Sequence, residues 1–181
     1  MQKESPENIL IRDGVGVIPT DTLYGIVGSA LSKKAVARIY AAKGRDESKP
    51  FIVLISQISD LALFGIKLTL GQAEFLTSAW PGPVSVIIPC PLKKFEYLHR
   101  GTNSIAFRMP KNTAIHDLLK QTGPLVAPSA NPQGKEPAHT IAEAKAYFKD
   151  AVDFYLPGGT KNAKPSTIVS LVSGIPVILR K

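Results

Sequence analysis

The sequence predicts one α/β domain with a mostly buried sheet, on three observations. Short β-branched runs recur along the chain, helical patterns fall between them, and prolines or glycines stand at the run ends. A length of 181 residues suits a single domain with room for a sizeable core. The 15 prolines and 14 glycines are scattered singly, so they read as punctuation and mark no linker.

The first strand is expected at 15–18, in VGVIP, where Pro19 stops the ladder. A helix follows in SKKAVARIYAAK: Ser32 can cap it, and Ala35, Val36, Ile39 and Tyr40 share one face. Strands are then expected at 51–55, 84–88, 104–107, 125–127, 166–172 and 176–179, with a weaker candidate at 153–156. Helices are expected at 70–79, opened by a Thr69/Gln72 capping box, and at 112–121. A further capping box, Thr140 with Glu143, opens TIAEAKAYF.

Composition narrows the partners. The net charge of +8 favours an anionic partner, such as nucleic acid, nucleotide or phosphate. Cys90 is the single cysteine, which excludes a disulfide framework and a cysteine zinc site, and the default compartment is the cytoplasm. The N-terminal MQKESPENIL lacks the apolar core of a signal peptide, and the longest apolar run falls short of the roughly 20 residues of a membrane helix. A cytoplasmic protein with no membrane partner is expected.

Five polar or basic loops adjoin strands. In IPTDTLYG (18–25), Thr20, Asp21 and Thr22 lie at a strand's C-terminal end, where open α/β sheets bind ligands, although the same residues also build plain turns. In KGRDESKPF (43–51), Lys43, Arg45 and Lys49 lie within seven residues. A helix C-terminus accounts for Lys43 but poorly for all three. Convergent, they suit a polyphosphate, each charge-assisted hydrogen bond being worth about 1.5–3 kcal/mol. Arg108 ends the apolar SIAFRMP, where a lone arginine is more often plain surface. Ser129 and Asn131 sit in APSANPQG, where they suit a phosphate or an amino acid or else an Asx-type turn, and Ser166 and Thr167 open the strand in KPSTIV. P-loop, G-x-G-x-x-G, H-E-x-x-H and G-x-S-x-G motifs are absent, and His99, His116 and His139 lack metal-ligand spacing. The pattern points to positioning and charge neutralisation rather than a protein nucleophile.

Taken in order, IPTDTLYG, KGR followed by KP, WPGP at 80–83, RMP, PSAN and PSTIV resemble the YrdC/TsaC family of threonylcarbamoyl-adenylate synthases, from Gly14 to Arg180. The resemblance implies a twisted mixed β-sheet with flanking helices and a basic concave cleft, as one domain over 1–181 without a C-terminal extension. It implies that L-threonine, bicarbonate and ATP become threonylcarbamoyl-AMP and pyrophosphate, with Mg2+ accompanying ATP. A partner complex would then move the threonylcarbamoyl group to tRNA, and direct RNA contact is a further implication. By the same resemblance Thr22, Arg108, Ser129 and Ser166 would bind L-threonine. Arg45, Lys49, Ser104, Asn131, Thr140 and Arg180 would hold ATP, and Lys43 with Arg45 would form the catalytic cluster.

The chain departs from the family pattern at Asp46, where proline is usual, at Leu54, where some members have histidine, and at Ser170, where aspartate is common. Its leading helix is expected to be reduced or missing. The alternative function is a non-catalytic RNA-binding module of the same fold, but aromatic residues are only 7%, and no aromatic RNA-binding motif is present. A carbamoyl-adenylate enzyme of the hydrogenase-maturation type would need more domains and more cysteines.

Overall fold

The computed structural model describes residues 4–163 and 165–181. The chain opens with α1 (Pro6–Ile11), β1 (Val15–Pro19), β2 (Tyr24–Ser29), α2 (Lys33–Lys43) and β3 (Ile52–Leu54). It continues through α3 (Leu70–Ala79), β4 (Val84–Pro89), α4 (Glu96–His99), β5 (Ser104–Arg108) and α5 (Thr113–Thr122). The last elements are β6 (Leu125–Val126), α6 (Ile141–Phe148), β7 (Phe154–Tyr155), β8 (Thr167–Ser170) and β9 (Val177–Arg180). Each predicted strand and each predicted helix is present within a residue or two at most ends; the largest difference is the strand expected from 166 to 172, which covers only four residues.

β2 and α4 were not expected, and α1 was expected to be reduced or missing. β2 follows IPTDTLYG directly, where Gly25 and Gly28 interrupt the apolar pattern. α1 is a six-residue helix capped by Ser5, so the leading helix is shortened but present, and its Leu10 is buried. The Thr69/Gln72 capping box forms in both directions, at 3.3 and 3.0 Å. At α6 only half of it forms: Thr140 Oγ1 accepts from the Glu143 N–H, but the Glu143 carboxylate accepts from His139 instead.

The strands form one nine-stranded mixed sheet in the order β7-β1-β2-β6-β3-β5-β4-β8-β9. Apolar alternation gives it two buried faces. On one face Val53, Val86, Ile88, Ile105 and Phe107 join the large core with Val36, Ile39 and Leu76 from α2 and α3. On the other, Ile18, Val27, Leu54 and Leu125 pack under Leu10 of α1 and Ile115, Leu118 and Leu119 of α5. That second cluster draws on β1, β2, β3, β6 and β7 and ends at β3. From β3 onward, that face carries a cavity.

Candidate active site

A cavity of about 570 Å³ lies over the uncovered part of the second face. Its floor is apolar, from Ile52 and Leu54 of β3, Ala106 of β5, Ile87 of β4 and Ile168 of β8. Period-2 alternation explains the choice: Ser104, Ala106 and Arg108 face the cavity, while Ile105 and Phe107 face the core. The sequence placed the site at strand ends; the structure places it over a sheet face, with strand-end loops as its rim. That arrangement arises because α1 and α5 cover only the other half of the face.

Thr22, Arg45, Ser104, Arg108, Ser129, Ser166 and Arg180 all line this cavity, together with Asp21, although they span the chain from its first turn to its last strand. Lys43, Lys49, Asn131 and Thr140 do not line it. Thr140 is occupied as the N-cap of α6.

At one end Arg108 is 5% exposed. Its Nε donates to the Gly82 carbonyl at 3.2 Å, Nη1 to Thr22 Oγ1 at 3.5 Å, and Nη2 to Asp21 Oδ2 at 2.5 Å. Burial lowers the Arg108 pKa, and the adjacent Asp21 carboxylate opposes that shift. Asp21 Oδ1 is buried without a hydrogen-bond partner. Thr20 serves the turn itself, donating to the Leu23 carbonyl at 2.6 Å and accepting from the Thr22 and Leu23 amides. Thr20 thus builds the plain turn, while Thr22 and Asp21 meet Arg108 at the cavity. Ser166 Oγ meets Ser85 Oγ at 2.9 Å in the interior.

At the other end, Arg45 Nε donates to the Lys49 carbonyl at 3.2 Å, and the guanidinium lies over the Phe51 ring at 5.3 Å. Arg180 on β9 donates to the Ser166 carbonyl at 2.9 Å. The three-cation cradle expected of KGRDESKPF is not what the structure holds, because the helix geometry separates the three side chains. Lys43 points inward from the end of α2 and is 2% exposed. Its Nζ donates to the Ser129 and Asn131 carbonyls, each at 2.5 Å, and to Asn131 Oδ1 at 3.3 Å. Burial first, then Arg45, pushes its pKa down to about 7, while the three oxygens favour the ammonium. Lys49 is exposed outside the cavity. Gly44, at φ 55°, makes the left-handed turn that separates Lys43 from Arg45. Beyond it Asp46 replaces the usual proline with a side-chain turn, accepting from the Ser48 amide at 2.9 Å and its hydroxyl at 2.7 Å.

Residues from all five loops line the one cavity. A Sua5/YciO/YrdC family model, described as "Telomere recombination", matches residues 8–181. The chain belongs to this family. It is 34% identical over 176 residues to a threonylcarbamoyl-AMP synthase of Hahella chejuensis, covering 96% of this chain and 95% of that protein. It is 35% identical to a threonylcarbamoyl-AMP synthase of Bacillus subtilis, covering 95% of this chain and 51% of the relative. The structure superposes on P. abyssi Sua5 complexed with L-threonine with a TM-score of 0.88 and 29% identity, over 96% of this chain and 52% of Sua5. The chain thus spans about half the length of these last two family members and nearly all of the first.

Three participants in the site carried no assigned role in the sequence. Asp21 was one small polar residue among three until its pairing with Arg108 appeared. WPGP proves to be the clip on that arginine: Gly82 accepts from Arg108 and its own N–H donates to the Met109 carbonyl at 2.9 Å. A Cβ on Gly82 would come within 2.7 Å of the Ala79 carbonyl, so the turn requires glycine. Tyr24, in the unexpected β2, ties down the 158–159 loop, accepting from the Gly158 amide at 2.8 Å and donating to the Gly159 carbonyl at 2.9 Å. The motif KPSTIV begins at Lys164, outside the described residues.

Proposed function

We propose that this chain is a threonylcarbamoyl-AMP synthase, joining L-threonine, bicarbonate and ATP with release of pyrophosphate. The observation that carries the reading is one cavity with the buried Arg108 fork at one end and Arg45 and Arg180 at the other, over an apolar floor. A guanidinium fork suits the amino acid's carboxylate, and separate cations suit a triphosphate.

In this reading the threonine amine and bicarbonate form a carbamate with loss of water. A carbamate oxygen then bonds to the α-phosphorus in line as the bond to pyrophosphate breaks. The protein contributes position and charge and no covalent bond. Arg108 orients the amino acid, with the Thr22, Ser129 and Ser166 hydroxyls around it. Arg45 and Arg180 face the phosphates and Ser104 the nucleotide. Lys49 approaches from the rim. Lys43 acts through the Ser129–Asn131 loop that it holds in place. Among the described residues no cluster of three His, Cys, Asp or Glu could hold a metal ion, and Asp21 is engaged by Arg108. Mg2+ would be held on phosphates and water, where it supplies charge neutralisation to the departing pyrophosphate. The product would pass, in the cytoplasm, to a complex that transfers the threonylcarbamoyl group to tRNA.

The test mixes purified protein with ATP, Mg2+, bicarbonate and L-threonine and measures pyrophosphate and threonylcarbamoyl-AMP by mass spectrometry. Product is expected only when threonine and bicarbonate are both present, and Arg45→Ala should lower it roughly 10–100-fold, as for loss of one or two charge-assisted hydrogen bonds. ATP binding without product would defeat the synthase reading. Salt-sensitive RNA binding without ATP binding would leave the RNA-binding module.

A further inference from the structure

On the far side of the 45–50 loop from the cavity is a second hollow of about 470 Å³, lined by Lys33, Glu47, Tyr97 and Arg100 among others. Four side chains cross the wall between the two. The Arg100 guanidinium lies 4.1 Å from the centre of the Tyr40 ring. Tyr40 stacks on Phe51 with centroids 4.0 Å apart and planes 24° from parallel. Both neighbours are too close to Tyr40 to share one face of it, so they sandwich the ring. The Arg45 guanidinium follows on Phe51 at 5.3 Å. Two hydrogen bonds fasten the same stack, since Tyr40 Oη and Arg45 Nε both donate to the Lys49 carbonyl, at 3.0 and 3.2 Å. Arg100 also grips the loop directly, through Glu47 at 3.0 Å.

We propose that Arg100 is a positioning residue for Arg45, acting across the wall through the Tyr40–Phe51 pair and through Glu47. Each ring presents its negative face to a guanidinium, and the two cations hold the aromatic pair from opposite ends. With Arg100 in place, the loop carrying Arg45 has one packed arrangement, and the Arg45 side chain enters the cavity along the Phe51 ring. Arg100 itself lines the outer hollow and not the site cavity, so it touches no ligand there. The naming of ATP as that ligand rests on the function proposed above; the mechanical claim does not.

The first readout therefore needs no substrate. The Arg45 Nε–H resonance, identified by its loss in Arg45→Lys, lies over the Phe51 ring and bonded to the Lys49 carbonyl. In Arg100→Met it is expected to shift toward the solvent-exposed position and to exchange faster; an unchanged resonance overturns the proposal. Arg100 already has φ 50°, so a methionine there adds no new backbone strain of its own. Should Arg100→Met fold poorly, Arg100→Lys decides instead: it keeps the cation but loses the planar face, and a partial shift is expected. The second readout is binding of Mg-ATP and of L-threonine. Arg100→Met should weaken ATP about three- to tenfold and leave threonine unchanged. In an Arg45→Ala background it should weaken ATP less than about twofold further, since its route runs through Arg45. A full additional loss would show that Arg100 acts otherwise and would sink the proposal. A moved Arg45 resonance in a protein that makes no threonylcarbamoyl-AMP would uphold the stack and defeat the synthase reading alone.

Discussion

The two ends of the cavity are built differently. Arg108 is buried, and its donors already point at Gly82, Thr22 and Asp21. Arg180 stands on an exposed edge strand and donates to the Ser166 carbonyl, and Arg45 rests on its own loop. A buried, prewired cation interacts strongly in a low-dielectric setting and suits one small ligand in one pose. Cations exposed to solvent interact more weakly one by one and accommodate a longer polyanion. Rigidity is thus concentrated where, in the proposed reading, the amino acid would bind.

The sharpest way to break this contrast is at Arg108. Arg108→Met leaves the Asp21 carboxylate without its partner and should cost about 3 kcal/mol of stability in urea unfolding. Arg108→Lys restores the charge without the fork; it should lower threonine-dependent turnover roughly 100-fold at unchanged ATP affinity. Weakened ATP binding with normal threonine binding would mean that the two ends had been assigned the wrong way round.

Lys43, buried behind the Ser129–Asn131 loop, gives the next effect. Its folded pKa of about 7 lies below the ordinary 10.5, so between those values the unfolded chain binds more protons than the folded one. Stability should then rise with pH across that window, by at most about tenfold in the folding constant per pH unit. Urea unfolding of wild type and Lys43→Met from pH 7 to 10 measures it: the wild type should gain on the variant. A flat difference would mean that the three surrounding oxygens hold the lysine fully charged throughout.

The smallest effect belongs to Arg180→Ala. Its ATP affinity should fall only a few-fold at physiological salt and by more at low ionic strength, as for a solvent-exposed charge. A salt-independent loss as large as that at Arg108 would erase the distinction between the two ends.

Much of the fold was legible in the sequence because buried strands advertise themselves as β-branched runs ended by proline. β2 was not, since Gly25 and Gly28 stand where side chains would have continued the apolar run. For the site, Arg108 was legible only through the family resemblance, since a lone cation closing an apolar strand is more often plain surface. Its alternation with Ala106 and Ser104 on one face came from the structure. Its partner Asp21 was not legible, because that contact joins residues 87 positions apart. KGRDESKPF showed where charge is concentrated but not where each charge points. The left-handed turn at Gly44 sends Lys43 inward and Arg45 toward the cavity, and a run of letters does not carry that direction.

The alternation in β5 has a consequence for how this chain tolerates change. Ile105 and Phe107 belong to the core, while Ser104, Ala106 and Arg108 belong to the cavity, within five consecutive residues. β3 repeats it in part, with Val53 in the large core and Ile52 and Leu54 shared between the second core cluster and the cavity floor. Neighbouring codons therefore answer to separate demands, one for abundance of folded protein and the next for what the folded protein can bind. A saturation scan that scores both traits should beat in two along these strands, and a shift of register by a single residue would exchange the two demands at every position.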